Sequence, residues 1–165
     1  MSFNKKFEKE AANRALINWN SAYPEDRLAH LVKDTSKAFD RRLQFLLSAH
    51  SIPIGYWNYL RIIWKKEGLT KKEISIEAGV MEPSAFIALK GMEKDGLIYF
   101  EKKEDNKKNV YVYLTEKGRQ LEGQLIPLAI SVNKISEEGI TQEELKTTRK
   151  VLLKMLGNIS TDKET

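Results

Sequence analysis

Apolar positions fall at helical spacing over most of the chain. Leu28, Leu31, Val32, Thr35, Phe39, Leu43 and Leu46 recur on one face, which predicts a long amphipathic helix. Pro24 with Glu25 and Asp26 reads as its first turn, and the pattern fades near Ala49. Upstream, Phe3, Phe7, Leu16, Ile17 and Trp19 are scattered through residues 1–22, which read as a weak helix or arm. His50-Ser51-Ile52-Pro53 breaks the periodicity. A second helix then places Ile54, Trp57, Leu60 and Trp64 on one face and ends at Gly68.

The pattern shortens in the middle of the chain. Thr70-Lys71-Lys72-Glu73 is a capping box, opening a short helix from Lys71 to Ala78 that Gly79 closes. Pro83 starts the next helix, which runs to Asp95 and stops at Gly96. Leu97-Ile98-Tyr99-Phe100 and Val110-Tyr111-Val112-Tyr113-Leu114 alternate as strands around a polar turn from Lys102 to Asn109, a hairpin. Thr115-Glu116-Lys117-Gly118 opens a long helix toward Ser136, with Pro127 as its expected kink. A second capping box, Thr141-Gln142-Glu143-Glu144, opens a last helix whose apolar face is Leu145, Thr148, Leu152, Met155 and Leu156.

Helix, short helix, tight turn, helix and hairpin in that order predict a winged helix-turn-helix, in a fold that is mainly α with a small β-hairpin. The helix from Pro83 is then the recognition helix. On a wheel with Ala85 at zero, Ala88, Leu89 and Met92 fall at about 300°, 40° and 340° and form the inward stripe. Pro83, Ile87, Lys90, Gly91 and Lys94 face outward, flanked by Ser84 and Phe86. Isoleucine and glycine are unusual on a solvated face. They suit a major groove, where a hydroxyl (Ser84) reads a base edge, a methyl (Ile87) meets thymine, and a small residue (Gly91) allows close approach. The competing reading packs Phe86 and Ile87 against a neighbouring element. Lys90 suits a phosphate, as do Lys71 and Lys72 at the start of the short helix. Thr70 and Glu82 flank those positions and join the expected DNA-binding set, as do Lys94 and the hairpin residues Lys102, Lys103, Asn106, Lys107 and Lys108.

Composition narrows the chemistry. The 165 residues carry 28 Lys+Arg against 23 Asp+Glu, a net charge of +5 that permits nucleic acid as partner without requiring it. With no cysteine, no thiol nucleophile, disulfide or zinc ribbon can form. With only two histidines, and no phosphate-binding loop, nucleophile elbow or paired metal-ligand motif, no enzyme and no cofactor are expected. No apolar run approaches a bilayer span and no signal peptide is visible, so a cytoplasmic location is expected, with no membrane partner.

The chain resembles the MarR family (multiple antibiotic resistance regulators) from about Leu28 to Leu156. The resemblance is carried by Gly68-Leu69-Thr70-Lys71-Lys72-Glu73-Ile74-Ser75, Gly79-Val80-Met81-Glu82-Pro83-Ser84, Leu89-Lys90-Gly91-Met92-Glu93-Lys94-Asp95-Gly96-Leu97-Ile98 and Val110-Tyr111-Val112-Tyr113-Leu114-Thr115-Glu116-Lys117-Gly118. It implies a single domain over 1–165, with dimerisation helices at about 1–50 and 118–160 and a winged helix-turn-helix lobe at about 53–115. It implies a homodimeric transcriptional regulator, most often a repressor, with recognition helices in successive major grooves of a pseudo-palindrome and wings on the flanking minor grooves. The family's wing Asp and Arg are here Asn106 and Lys108, and lysine lacks the planar fork that fits a narrow groove. Many members respond to small phenolic or aromatic acids. The candidates for such a pocket are His30, Phe45, His50, Tyr56, Trp57, Arg61 and Trp64, with Arg61 holding a carboxylate. The alternatives are that Trp57 and Trp64 are core, and that Arg61 makes a dimer or phosphate contact. A second function also stands, a winged helix kept as a protein-interaction module without DNA binding.

Overall fold

The computed structural model describes Glu10, Arg14, Leu16, residues 28–104 and residues 106–161. The elements are α1 (Leu28–Leu47), a 3-10 turn (Ser48–His50), α2 (Ile54–Lys65), β1 (Leu69–Thr70), α3 (Lys71–Ala78), α4 (Glu82–Lys94), β2 (Ile98–Lys103), β3 (Asn106–Leu114), α5 (Glu116–Ser136) and α6 (Gln142–Thr161). Phe3, Phe7, Ile17, Trp19 and the Pro24-Glu25-Asp26 start signal lie outside the described residues. Among the described residues no helix is long and apolar enough to cross a membrane.

The chain forms two compact units, Met1–Ala129 and Ile130–Thr165. The first holds a three-stranded antiparallel sheet in the order β1-β3-β2. Leu69 pairs with Val112, and Ile98 with Leu114. Strand β1 escaped the sequence reading because two residues are too few to show an alternation. The core-facing side of the hairpin carries Ile98, Val112 and Leu114. With them Leu47, Leu60, Ile63, Ile74, Ala85, Leu89, Met92, Leu97 and Leu125 are buried.

Local chemistry explains the boundaries. Pro53 precedes α2 without a side-chain cap, and Gln44 supplies one from α1: Ile54 N–H donates to Gln44 Oε1 at 2.6 Å. The helix ends at Lys65, earlier than Gly68, because the following residues turn into β1. Its buried face is Tyr59, Leu60 and Ile63, while Trp57 and Trp64 are only half-buried. Gly79 closes α3 at φ 66° and Gly96 follows α4 at φ 69°, both in the left-handed region that glycine adopts without strain. Helix α5 runs unbroken through Pro127. In the second unit α6 half-buries Leu145 and Met155 and leaves Val151, Leu152, Leu153, Leu156 and Ile159 exposed.

Candidate nucleic-acid interface

Helix α4 presents the expected inward stripe. Ala85, Leu89 and Met92 are fully buried and Ala88 half-buried, so Pro83, Ser84, Ile87, Lys90 and Lys94 are left in solvent. Ile87 is 72% exposed, which removes the reading that packs it against a neighbour. Gly91 departs from expectation. It is half-buried and faces α2, where an added Cβ would strike the Tyr56 hydroxyl. Its smallness serves the contact between α2 and α4 rather than an approach from outside. Tyr56 is thereby committed as well. Burial first, then a hydrogen bond and the negative charge from Asp95, hold its phenol above the ordinary tyrosine range.

The start of α3 adjoins this face. Thr70, Lys71, Lys72 and Glu82 line a cavity of about 350 Å³ together with Asn109 and Val110 from the base of β3. Four expected residues from two stretches of sequence thus meet at one place, and a third stretch adds Asn109 and Val110. The Thr70 hydroxyl is engaged in the capping box: it donates to Glu73 Oε2 at 2.7 Å and accepts from Glu73 N–H at 3.2 Å. These bonds, backbone contribution first, hold the Glu73 carboxyl below its ordinary range. Lys72 and Lys94 take no ion pair among the described residues. Lys90 bonds Glu93 at 2.7 Å. In the sequence Asn109 and Val110 read only as the end of the turn and the start of the strand, with no site role.

The wing is longer in strand than the polar run suggested. Asn106–Asn109 belong to β3, and Lys103 pairs with Asn106 across the tip. Between Glu101–Tyr111 and Lys103–Asn106 the register slips, so β3 spends more residues than β2 over the same length and carries a bulge. Lys103 Nζ lies 4.6 Å from the Tyr111 ring centre, while Lys102 is exposed. Polarity misled the sequence reading here, since a two-stranded tip in solvent needs no apolar alternation.

Arg61 lines a second cavity, of about 270 Å³, with Asn58, Ile62, Lys65, Lys66, Leu69 and Glu77. None of the other six pocket candidates lines it. Trp57 meets Trp64 edge-on, their ring centres 6.0 Å apart. Arg61 stands 6.0 Å from the Trp57 ring centre. His30 is exposed on α1, and His50 is half-buried in the 3-10 turn. Phe45 lies beneath Arg42, 5.6 Å from its ring centre.

The family model for the MarR family matches residues 52–110, from the approach to α2 to the base of β3. The chain carries a MarR-family domain. A transcriptional regulator named Hpr from Bacillus cytotoxicus is 36% identical over 96 residues, 58% of this chain and 51% of that protein. The chain therefore spans about half the length of that relative. A regulator named TtmR from Methylorubrum extorquens is 28% identical over 139 residues, 82% of this chain and 66% of its own length. Among solved structures, a MarR-family regulator from Listeria monocytogenes complexed with a 26mer DNA superposes with a TM-score of 0.75 at 26% identity. That match covers 83% of this chain and 91% of the other.

The Leu-Thr-x-x-Gly segment from Leu114 to Gly118 is a structural staple. Thr115 Oγ1 donates to Gly96 O at 2.7 Å and accepts from Gly118 N–H at 3.0 Å, capping α5. A Cβ at Gly118 would collide with the Leu97 carbonyl. Trp64 Nε1 donates to Gly118 O at 2.9 Å, which spends the indole on the fold and removes its polar group from an effector pocket. Phe86 and Phe100, by contrast, gain importance that the sequence did not suggest, for both rings lie beneath lysines of the interface.

Proposed function

We propose that the chain is a sequence-specific double-stranded DNA-binding transcriptional regulator, acting as a homodimeric repressor on a pseudo-palindromic operator. The observation that carries this reading is the solvent face of α4. It places Pro83, Ser84, Ile87, Lys90 and Lys94 in a row beside the Lys71–Lys72 cavity at the α3 start. Ser84 and Ile87 read base edges, Lys71, Lys72, Lys90 and Lys94 bind phosphates, and Lys102, Lys103, Asn106, Lys107 and Lys108 follow the backbone or minor groove. Support comes from the Listeria relative, which was crystallised with DNA. A small aromatic or phenolic acid is the proposed effector, its carboxylate on Arg61; the cavity that Arg61 shares with Lys65 and Lys66 supports this assignment.

The test is selection of bound fragments from the source genome by the purified protein, at low and at physiological salt. A palindromic site surviving the higher salt is expected, with log affinity falling by about 0.9 per phosphate engaged for each log unit of salt. Lys108→Ala should weaken all sequences alike. Ser84→Ala and Ile87→Ala should instead change which sequences bind, by about 1–3 kcal/mol per lost contact. Absence of enrichment at both salts would replace this reading with a protein-interaction module.

A further inference from the structure

Two lysines from different helices converge on the same two rings. Lys71 is the first residue of α3, and Lys90 sits one turn beyond Phe86 on α4. Phe100 comes from β2, on the side of the sheet that carries Ile98. Lys71 Nζ lies 4.4 Å from the Phe86 ring centre and 5.0 Å from that of Phe100. Lys90 Nζ lies 4.8 Å from the Phe100 centre and 6.0 Å from that of Phe86. All four distances are within the roughly 6 Å reach of a cation over an aromatic face.

Two ammoniums gathered on one ring pair repel each other, and Glu82, which lines the same cavity as Lys71, forms no ion pair with it among the described residues. Glu93 pairs with Lys90 at 2.7 Å, whereas Lys71 takes no ion pair among the described residues. The nearby carboxylate of Glu73 is turned to Thr70. An anion reaching both ammoniums would relieve that repulsion. Phe86 is 39% exposed on α4, with the Lys71 ammonium over its ring at the surface. A free lysine loses much rotamer freedom when it grips a phosphate. One already held on a ring has lost part of it during folding.

We infer that Phe86 and Phe100 are positioning residues, holding Lys71 and Lys90 as a two-cation seat for one backbone phosphate at the junction of α3 and α4. The inference rests on the DNA-binding reading above. Phe100 itself makes no DNA contact in this scheme. Its effect is therefore on affinity and salt dependence, not on sequence choice.

The experiment uses the full chain with two duplexes of equal length, one carrying a site recovered by genomic selection and one of mixed sequence. Phe86→Leu and Phe100→Leu keep apolar volume and remove the π face. Each is expected to weaken both duplexes 3–10-fold at low salt and to make the salt slope shallower by about 0.9, one phosphate's worth. Phe100→Tyr should restore wild-type affinity and slope. Leu variants that keep the wild-type slope, or that change only sequence preference, would overturn the inference. Should Phe100→Leu unfold, Phe86→Leu on the exposed helix surface decides the matter. A readout without DNA separates the two levels: proton NMR of the wild type should show the Lys71 and Lys90 ε-methylenes shifted upfield by the rings, and the Leu variants should lose that shift. Unshifted methylenes would sink the platform even if DNA binds. Normal shifts with no affinity for either duplex would instead reject the DNA-binding reading, and the phosphate seat with it.

Discussion

At the scale of single residues, several positions that look functional are held by packing. Gly91 is small because Tyr56 lies against it. Gly91→Ala should destabilise the fold by about 1–3 kcal/mol through overpacking. In a Tyr56→Phe background, which removes the nearest of the three ring-end atoms a new Cβ would meet, the same change should cost less. A double-mutant cycle of thermal melts measures the difference, and additive effects would place the clash elsewhere. Glu73 offers a pH test. Its folded pKa lies below its unfolded value because the Thr70 N–H and hydroxyl stabilise the carboxylate. That contribution is present above the ordinary carboxylate range and is lost as pH falls through the lowered folded value. Between roughly pH 5 and 3 the wild type should therefore lose thermal stability more steeply than Glu73→Gln, which keeps the capping geometry without titrating. Parallel curves would show that the cap does not couple to folding.

At the scale of elements, the hairpin is tied to the helices by one carboxylate. Glu67 accepts from Arg119 Nε at 3.1 Å and Nη2 at 3.0 Å, and from Leu114 N–H at 2.9 Å. The two halves of this knot are unequal. The ion pair is partly solvated, so Arg119→Ala should cost below about 1 kcal/mol. Glu67→Ala also orphans a part-buried backbone N–H at the end of β3 and should cost about 1–3 kcal/mol. Denaturant titration checks the ranking, and hydrogen exchange at Leu114 reports which bond is lost. Equal costs would mean that the backbone bond carries none of the difference.

At the scale of the molecule, α6 carries an exposed apolar face. Leu152, Leu156 and Ile159 are 41%, 62% and 77% exposed along one helix. A second copy of the chain is the proposed cover, in keeping with a homodimeric regulator. Leu156→Lys with Ile159→Lys should then yield a monomer by light scattering and lose affinity for a palindromic duplex far more than for a single half-site. A variant that stays dimeric would place the dimer surface elsewhere.

Periodicity and punctuation were enough to establish the order of helices, the caps at Thr70 and Thr141, the breaks at Gly79 and Gly96, and the buried stripe of α4. These depend on neighbours three or four residues apart, which the sequence displays directly. The solvent face of α4, with Ser84, Ile87, Lys90 and Lys94, was legible for the same reason. Gly91 against Tyr56, the Trp64 bond to Gly118, the two-residue strand β1 and the two phenylalanines beneath Lys71 and Lys90 were not. Each joins residues distant in the chain, and no local pattern records which distant partner a side chain will meet. Only the packing of α2, α3, α4 and the hairpin around one core decided whether an aromatic ring or a glycine faces outward to a ligand or inward to its neighbour.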